Sequence, residues 1–227
     1  MRRLIGFSLL FAVWGFSKIF YRGNFNWVGA HPENPWKKTR LIVFLNHTSL
    51  YEPLFMSVFP ISFLWHIAGH VNVPGADITL NRPIVGTFWK LMVPRITSVS
   101  RKKDETWVNY LKTIREDDLI TIAPEGRMKR PSGMDKSGKP MTVKGGVADI
   151  IEVLGHGGMV VCLSGGLHHV QVPGQVFPRL FKKISMDLVY VDLKDYLATL
   201  PENSRERKIE IIRELQRQLD QNCPKEV

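Results

Sequence analysis

The sequence predicts an α/β fold: a single domain with a central mixed, mostly parallel sheet flanked by helices, plus an N-terminal membrane-associated helix. Short apolar runs at 41–45, 119–123 and 160–163, bounded by turn residues, read as buried strands. Stretches with apolar residues at helical spacing fall between or after them, at 106–116, 147–154 and 203–222. The chain of 227 residues is long enough for one core without disulfides. The organisation expected is therefore a membrane-associated segment over 1–28 and a catalytic domain over 29–227.

Residues 4–16 are apolar, with Arg2 and Arg3 before them and Lys18, Tyr21 and Arg22 after. The run is short for a comfortable span, which needs about 20 apolar residues. Bulky Phe16, Ile19 and Phe20 occupy the place where a signal peptide needs small residues before its cleavage site. Basic residues on both sides and aromatics at the flank fit a helix lying in or dipping into a membrane interface. The positive-inside tendency puts the domain on the cytoplasmic face, in a bacterium that of the inner membrane.

Residues 29–40 read as a polar linker, with Gly29, Pro32, Pro35 and Lys37-Lys38. The strand at 41–45 follows. Residues 54–70 predict a helix and then a strand around 63–68. His66 and His70 lack acidic or cysteine partners nearby in sequence and are assigned structural roles; no metal site is expected. Residues 83–93 begin with proline and read as a short apolar helix. The alternation over 95–101 is that of a strand. The stretch 128–146, rich in Lys, Gly, Ser and Pro, predicts a long loop, and loops of that length in a compact domain are often functional. A further strand is expected at 186–191, and 203–222 carries Ile209, Ile212, Leu215 and Leu219 on one helical face.

The formal net charge of +10 calls for an anionic partner. Its clusters, Lys37-Lys38, Arg101 to Lys103, Arg127 to Arg130 and Lys182-Lys183, are scattered and make no single stripe, so nucleic acid is not expected. Cys162 and Cys223 stand far apart, one in an apolar run and one in a polar tail, as free thiols of a reducing compartment do.

The chemistry concentrates after the strand at 41–45, in Asn46-His47-Thr48-Ser49-Leu50-Tyr51-Glu52-Pro53. A hydroxyl nucleophile needs a base, and neutral imidazole is the commonest near pH 7. The imidazole needs a carboxylate to fix its tautomer and stabilise its cation. His47 and Glu52 are five residues apart, which on a continuous helix is about 500° and leaves them on different faces. Their meeting requires a turn. Pro53 suits a first helical turn and disfavours helical geometry at Glu52, so a helix is expected to start there. Ser49 reads as a turn or capping residue rather than a nucleophile.

Three blocks in order carry a resemblance. Asn46-His47-Thr48-Ser49-x-x-Glu52 resembles the His-x4-Asp box of the glycerolipid acyltransferases, the family of 1-acylglycerol-3-phosphate acyltransferase. Residues 96–101 resemble its second block, a strand ending in a phosphate-recognising arginine. Ala123-Pro124-Glu125-Gly126-Arg127 resembles its third, usually Pro-Glu-Gly-Thr-Arg or Pro-Glu-Gly-Thr-Ser. Lys144-Gly145-Gly146 falls where that family commonly has a lysine and glycine before a helix. Order and spacing agree over roughly residues 40–165. Glu52 stands in place of the usual aspartate. The third block lacks its threonine, with Arg130 a possible substitute for Arg127. The fourth, around 160–166, lacks its proline.

The resemblance implies an O-acyltransferase that moves a fatty acyl chain from acyl-CoA or acyl carrier protein to the hydroxyl of a lysolipid. It needs no cofactor beyond that co-substrate. It implies His47 as base, Glu52 as its orienting carboxylate, and a substrate-binding set of Arg101, Glu125, Gly126 and Arg127. In that set the arginines grip an anionic headgroup, Glu125 fixes an arginine or binds a substrate hydroxyl, and amides near Gly126 are candidates for the oxyanion. The alternatives are an acyl-ester or thioester hydrolase, against which the missing Gly-x-Ser-x-Gly elbow weighs in its serine form, and a non-catalytic anionic-lipid-binding module.

Overall fold

The computed structural model describes residues 1–100, 104–172 and 175–225. Strands β1 (Arg22–Trp27), β2 (Thr39–Leu45), β3 (Val71–Ala76), β4 (Arg95–Val99), β5 (Leu119–Ile122), β6 (Gly158–Ser164) and β7 (Lys183–Asp192) form one sheet. Their order is β1-β7-β6-β2-β5-β3-β4. All neighbours are parallel except the β6–β7 pair.

The period of two along the strands sorts the core into two layers. On one face Ile42 of β2 and Val160 and Cys162 of β6 pack under α1 (Arg2–Phe20), a 3-10 segment at Glu52–Val58, α2 (Ile61–His70) and α4 (Pro83–Met92). On the other face Leu41, Val43, Leu45, Val161 and Leu163 pack against α5 (Glu105–Lys112), α6 (Gly146–Leu154) and α8 (Ser204–Gln221). Two further short helices, α3 (Asp77–Leu80) and α7 (Leu193–Ala198), complete the flanks.

The central pair decides where chemistry can sit. From β2 the chain leaves toward β3, whereas from β5, beside β2 in the sheet, it leaves toward β6 on the far side of β2. The two connections part above the carboxyl ends of β2 and β5 and leave a crevice there, the usual ligand position in an open α/β sheet.

Four expectations need correction. Residues 63–68 are helix: Phe63, Leu64, Ile67 and Ala68 are the buried positions of α2, a 3.6-residue pattern that begins after Pro60. The third strand instead follows directly at Val71, and the sequence hid it behind Pro74 and Gly75. Pairing of β3 with β5 stops at Asn72, so Pro74 lies where that side of the strand carries no ladder. Residues 22–27, assigned above to the membrane-associated segment, form edge strand β1 against β7, so the sheet begins before residue 29. The helix expected over 106–116 ends at Lys112, and the linker at 29–40 closes in a 3-10 turn at Pro35–Lys38.

Helix α1 is apolar on both sides. Gly6, Leu10 and Ser17 are buried against the domain, and the Ser17 hydroxyl donates to the Leu54 carbonyl at 2.6 Å. Leu4, Ile5, Phe11, Phe16 and Ile19 form an exposed stripe on the other side. A helix hydrophobic all round belongs in a core or against lipid. This one is long and apolar enough to cross a membrane by length and composition, yet it lies along the domain, on the 3-10 segment, α2 and α4.

Candidate active site

The site is built from the two turns that end β2 and β5. Asn46, the first residue after β2, has a φ of 66°, a left-handed conformation that Asn tolerates better than most residues. Three contacts hold it there. Its amide donates to Glu125 Oε1 at 2.7 Å, its Nδ2 to the Ser164 carbonyl at 2.9 Å, and its Oδ1 accepts from Lys129 Nζ at 2.9 Å. The reversal turns His47 out of the strand line.

His47 and Glu52 meet. Nδ1 of His47 lies 2.7 Å from Glu52 Oε2, and Glu52 Oε1 accepts from the Thr48 amide at 3.0 Å. An ionised carboxylate only accepts, so Nδ1 carries the proton and Nε2 is the basic nitrogen. Glu52 opens the 3-10 segment with Pro53 in its first turn, close to the helix start expected from the sequence. Thr48 is anchored in turn, its Oγ1 accepting from the Leu167 amide at 2.8 Å. Ser49 is fully buried, donates to Gln171 at 2.6 Å and accepts from the Tyr51 amide at 3.1 Å, which makes it a turn residue.

Glu125 occupies a different place from the one its motif suggested. It is buried, and its two oxygens accept from the amides of Asn46 and His47, each at 2.7 Å. It therefore ties the β5 turn to the β2 turn and does not meet Arg127. Burial pushes its pKa up to about 7, against the opposing pull of those amides and of His47. At His47, burial works to lower the pKa, but the charge and hydrogen bond of Glu52, with the charge of Glu125, outweigh it and raise the value above the ordinary 6.5.

Gly126 has a φ of 68° and open space around the position of a Cβ, and its own amide is engaged by the Ala123 carbonyl at 3.1 Å. Arg127 pairs with Asp135 and donates to Ser137 Oγ at 3.0 Å. Asp135 also accepts from the Ser137 amide at 2.7 Å and the Lys139 amide at 3.0 Å. These hydrogen bonds, led by the Lys139 amide, hold its carboxyl well below the usual carboxylate range. The long loop is thus folded around one carboxylate, with Arg127 as part of its frame. Arg101 lies outside the described residues; Ser100 before it lines the cavity described next.

A cavity of about 780 Å³ runs past the dyad, within the range of ligand pockets. Its lining includes the apolar Leu10, Phe59, Ile67, Trp89 and Met92, four of them from α1, α2 and α4. The same lining carries Arg127, Lys139 and Lys144 together with His47 and Glu52. Among the described residues no cluster of His, Cys, Asp or Glu could hold a metal. His66 and His70 stack on each other at 4.5 Å, and His70 faces Asp117 at 3.3 Å. Lys129, Asn46 and Gln171 are the positioning residues that sequence reasoning left out. Only Asn46 had a signal, as a left-handed-tolerant residue at the end of a strand.

A histidine held by a carboxylate at the carboxyl ends of a mostly parallel sheet, lining a largely apolar cavity, is the arrangement of an α/β enzyme. The family model described as Acyltransferase matches residues 28–164. The chain belongs to that acyltransferase family. Its fold is similar to that of the 1-acyl-sn-glycerophosphate (LPA) acyltransferase PlsC from Thermotoga maritima, with a TM-score of 0.51 and 16% identity over 94% of this chain and 81% of that one. No curated protein matches the sequence.

Proposed function

We propose that the protein transfers a fatty acyl chain from acyl-CoA or acyl carrier protein to the hydroxyl of a lysophospholipid, at the cytoplasmic face of a membrane. The observation that carries this reading is that the His47–Glu52 dyad lines one cavity with a set of apolar side chains and with the cations Arg127, Lys139 and Lys144. An acyl chain suits the first and an anionic headgroup the second.

In this mechanism Nε2 of His47 takes the proton as the acceptor oxygen attacks the thioester carbonyl carbon. Glu52 stabilises the imidazolium. The tetrahedral intermediate collapses, the C–S bond breaks, and the thiolate leaves, taking the proton from Nε2. A new ester and a free thiol result, and no acyl-enzyme is formed. Lys139 and Lys144 join Arg127 as candidates for the headgroup, with Arg101 the further candidate named by the second block. Leu10 of α1 lines the cavity, so in this reading the helix that meets lipid also borders the chain-binding space. The working division is α1 as the membrane-associated element and the sheet domain, β1 included, as the catalytic unit.

The test is transfer from labelled acyl-CoA and acyl carrier protein to a panel of lysophospholipids in micelles, with His47→Ala alongside. Labelled diacyl product that vanishes in His47→Ala supports the reading. Free fatty acid as the only product, formed at the same rate without acceptor, would make the protein a hydrolase and overturn it.

A further inference from the structure

The exposed apolar surface does not end with α1. Residues 175–182 run Gln175-Val176-Phe177-Pro178-Arg179-Leu180-Phe181-Lys182, and Val176, Phe177 and Phe181 are 72%, 79% and 72% exposed. This loop is joined to the end of α1. The Phe181 amide donates to the Phe20 carbonyl at 2.8 Å, the two rings lie 5.7 Å apart, and the Arg22 amide donates to the Lys182 carbonyl at 3.1 Å. Phe16 and Ile19 continue the same surface along the helix, Ile19 at 71% exposure.

Two features set this patch apart from scattered surface hydrophobes. Phe181 has a φ of 60°, a left-handed conformation that a bulky residue adopts only when its surroundings impose it. The stretches 16–23 and 175–183 contain Lys18, Arg22, Arg179, Lys182 and Lys183 and no acidic residue. Protruding aromatics ringed by cations are the chemistry of an interface between water and anionic lipid. A protein partner would more readily meet a groove than single protruding rings, and the continuity with the apolar stripe of α1 points to one extended bilayer.

We propose that residues 175–182 form a second membrane-contacting element, inserted beside α1 into an anionic bilayer. This inference rests on the membrane reading made above for α1. The loop is also tied to the dyad segment. The Tyr51 hydroxyl donates to the Val176 carbonyl at 2.6 Å, and Gln171, which accepts from Ser49, donates to the Gln175 carbonyl at 2.7 Å. The lipid contact is thereby bonded to the turn that carries Glu52.

The experiment uses the full chain with Cys223→Ser, which leaves buried Cys162 as the remaining native thiol. An environment-sensitive fluorophore is placed at Phe177→Cys and, separately, at Phe11→Cys. Vesicles of phosphatidylglycerol and phosphatidylcholine, phosphatidylcholine alone, and an acidic acyl carrier protein are added in turn. Expected is a blue shift and quenching by lipid-borne quencher at both positions, stronger with the anionic vesicles. Phe177→Ser with Phe181→Ser, checked for unchanged thermal unfolding, should weaken vesicle partitioning by about tenfold or more through the lost aromatic burial. Shielding at position 11 with none at 177 overturns the loop proposal and leaves the membrane reading standing. No shielding at either position overturns both. A response at 177 to the carrier protein and not to vesicles would make the loop a protein-docking site and overturn the proposal.

Discussion

Glu125 Oε2 accepts the backbone amide of His47 at 2.7 Å, while its other oxygen takes the amide of Asn46. The turn after β5 thus sets the backbone on which the base stands. In the proposed reaction Glu125 is a positioning residue that acts through His47, since among the described residues its hydrogen bonds go to the amides of Asn46 and His47.

Glu125→Gln follows from this pairing. The amide side chain presents one donor to a backbone donor, so a buried hydrogen bond becomes a repulsion. A lost hydrogen bond to a buried charged group costs about 2 kcal/mol, and activity should fall about 10- to 100-fold as His47 leaves its geometry. The loss should appear in kcat, with the acceptor KM little changed. A rise in KM with kcat preserved would assign Glu125 to substrate binding instead.

The dyad makes a pH prediction whose sign is fixed by the direction of the shift. The proposed base His47 would work only when neutral, and against the cost of burial its pKa is raised above 6.5 in the folded protein by Glu52. The rate should therefore climb with pH through an ionisation above 6.5. Glu52→Gln removes the attraction, so its limb should move to lower pH while the maximum falls about 10²- to 10⁴-fold. The same ionisation contributes stability that is complete below the unfolded value of about 6.5 and fades as pH rises through the folded one. A pH–rate profile of both proteins, with thermal unfolding across the same range, checks both statements. An unmoved limb in Glu52→Gln would take the ionisation away from His47.

Asp135→Asn addresses the loop. The carboxylate collects the Ser137 and Lys139 amides and the Arg127 guanidinium, and its depressed pKa means these contacts hold above the unfolded carboxylate range and are lost only as pH falls through the folded value. Asn keeps one acceptor and loses the charge. Expected are faster proteolysis between residues 128 and 141 and a higher acceptor KM, with the midpoint of global unfolding nearly unchanged. Limited proteolysis followed by mass spectrometry reads the first, and steady-state kinetics the second.

What the sequence made legible was set by how locally each feature is determined. β2 and β6, at the centre of the sheet, are buried along most of their length and showed as unbroken apolar runs. β1, with the sequence Arg22-Gly23-Asn24-Phe25-Asn26-Trp27, is an edge strand half open to solvent and carries no such run. The dyad was visible because Pro53 and the strand end force a turn between two residues close in sequence. The partners of Glu125 were not, since they depend on β2 and β5 lying side by side across some 78 residues of chain. For the same reason Arg127 read as a free cation, although Asp135 eight residues on shares its charge.

The wall of the cavity offers a test that separates packing from backbone freedom. Gly86 in α4 lies so close to α3 that an added Cβ would stand 2.1 Å from the Leu80 carbonyl oxygen, a backbone atom that no side-chain rotation can move. Leu80 and Trp89, one from each helix, both line the cavity. Gly86→Ala should force α3 and α4 apart, lower stability by about 1–3 kcal/mol, and change the preferred acyl chain length. Gly15 in α1 has nothing within 4 Å of its Cβ position. Gly15→Ala should leave transfer intact and stabilise the helix by about 0.5–1 kcal/mol. Chemical denaturation of the two variants side by side, with a donor series from short to long acyl chains, decides the matter. Equal stability changes in the two would mean that the α3–α4 contact does not set the width of the cavity.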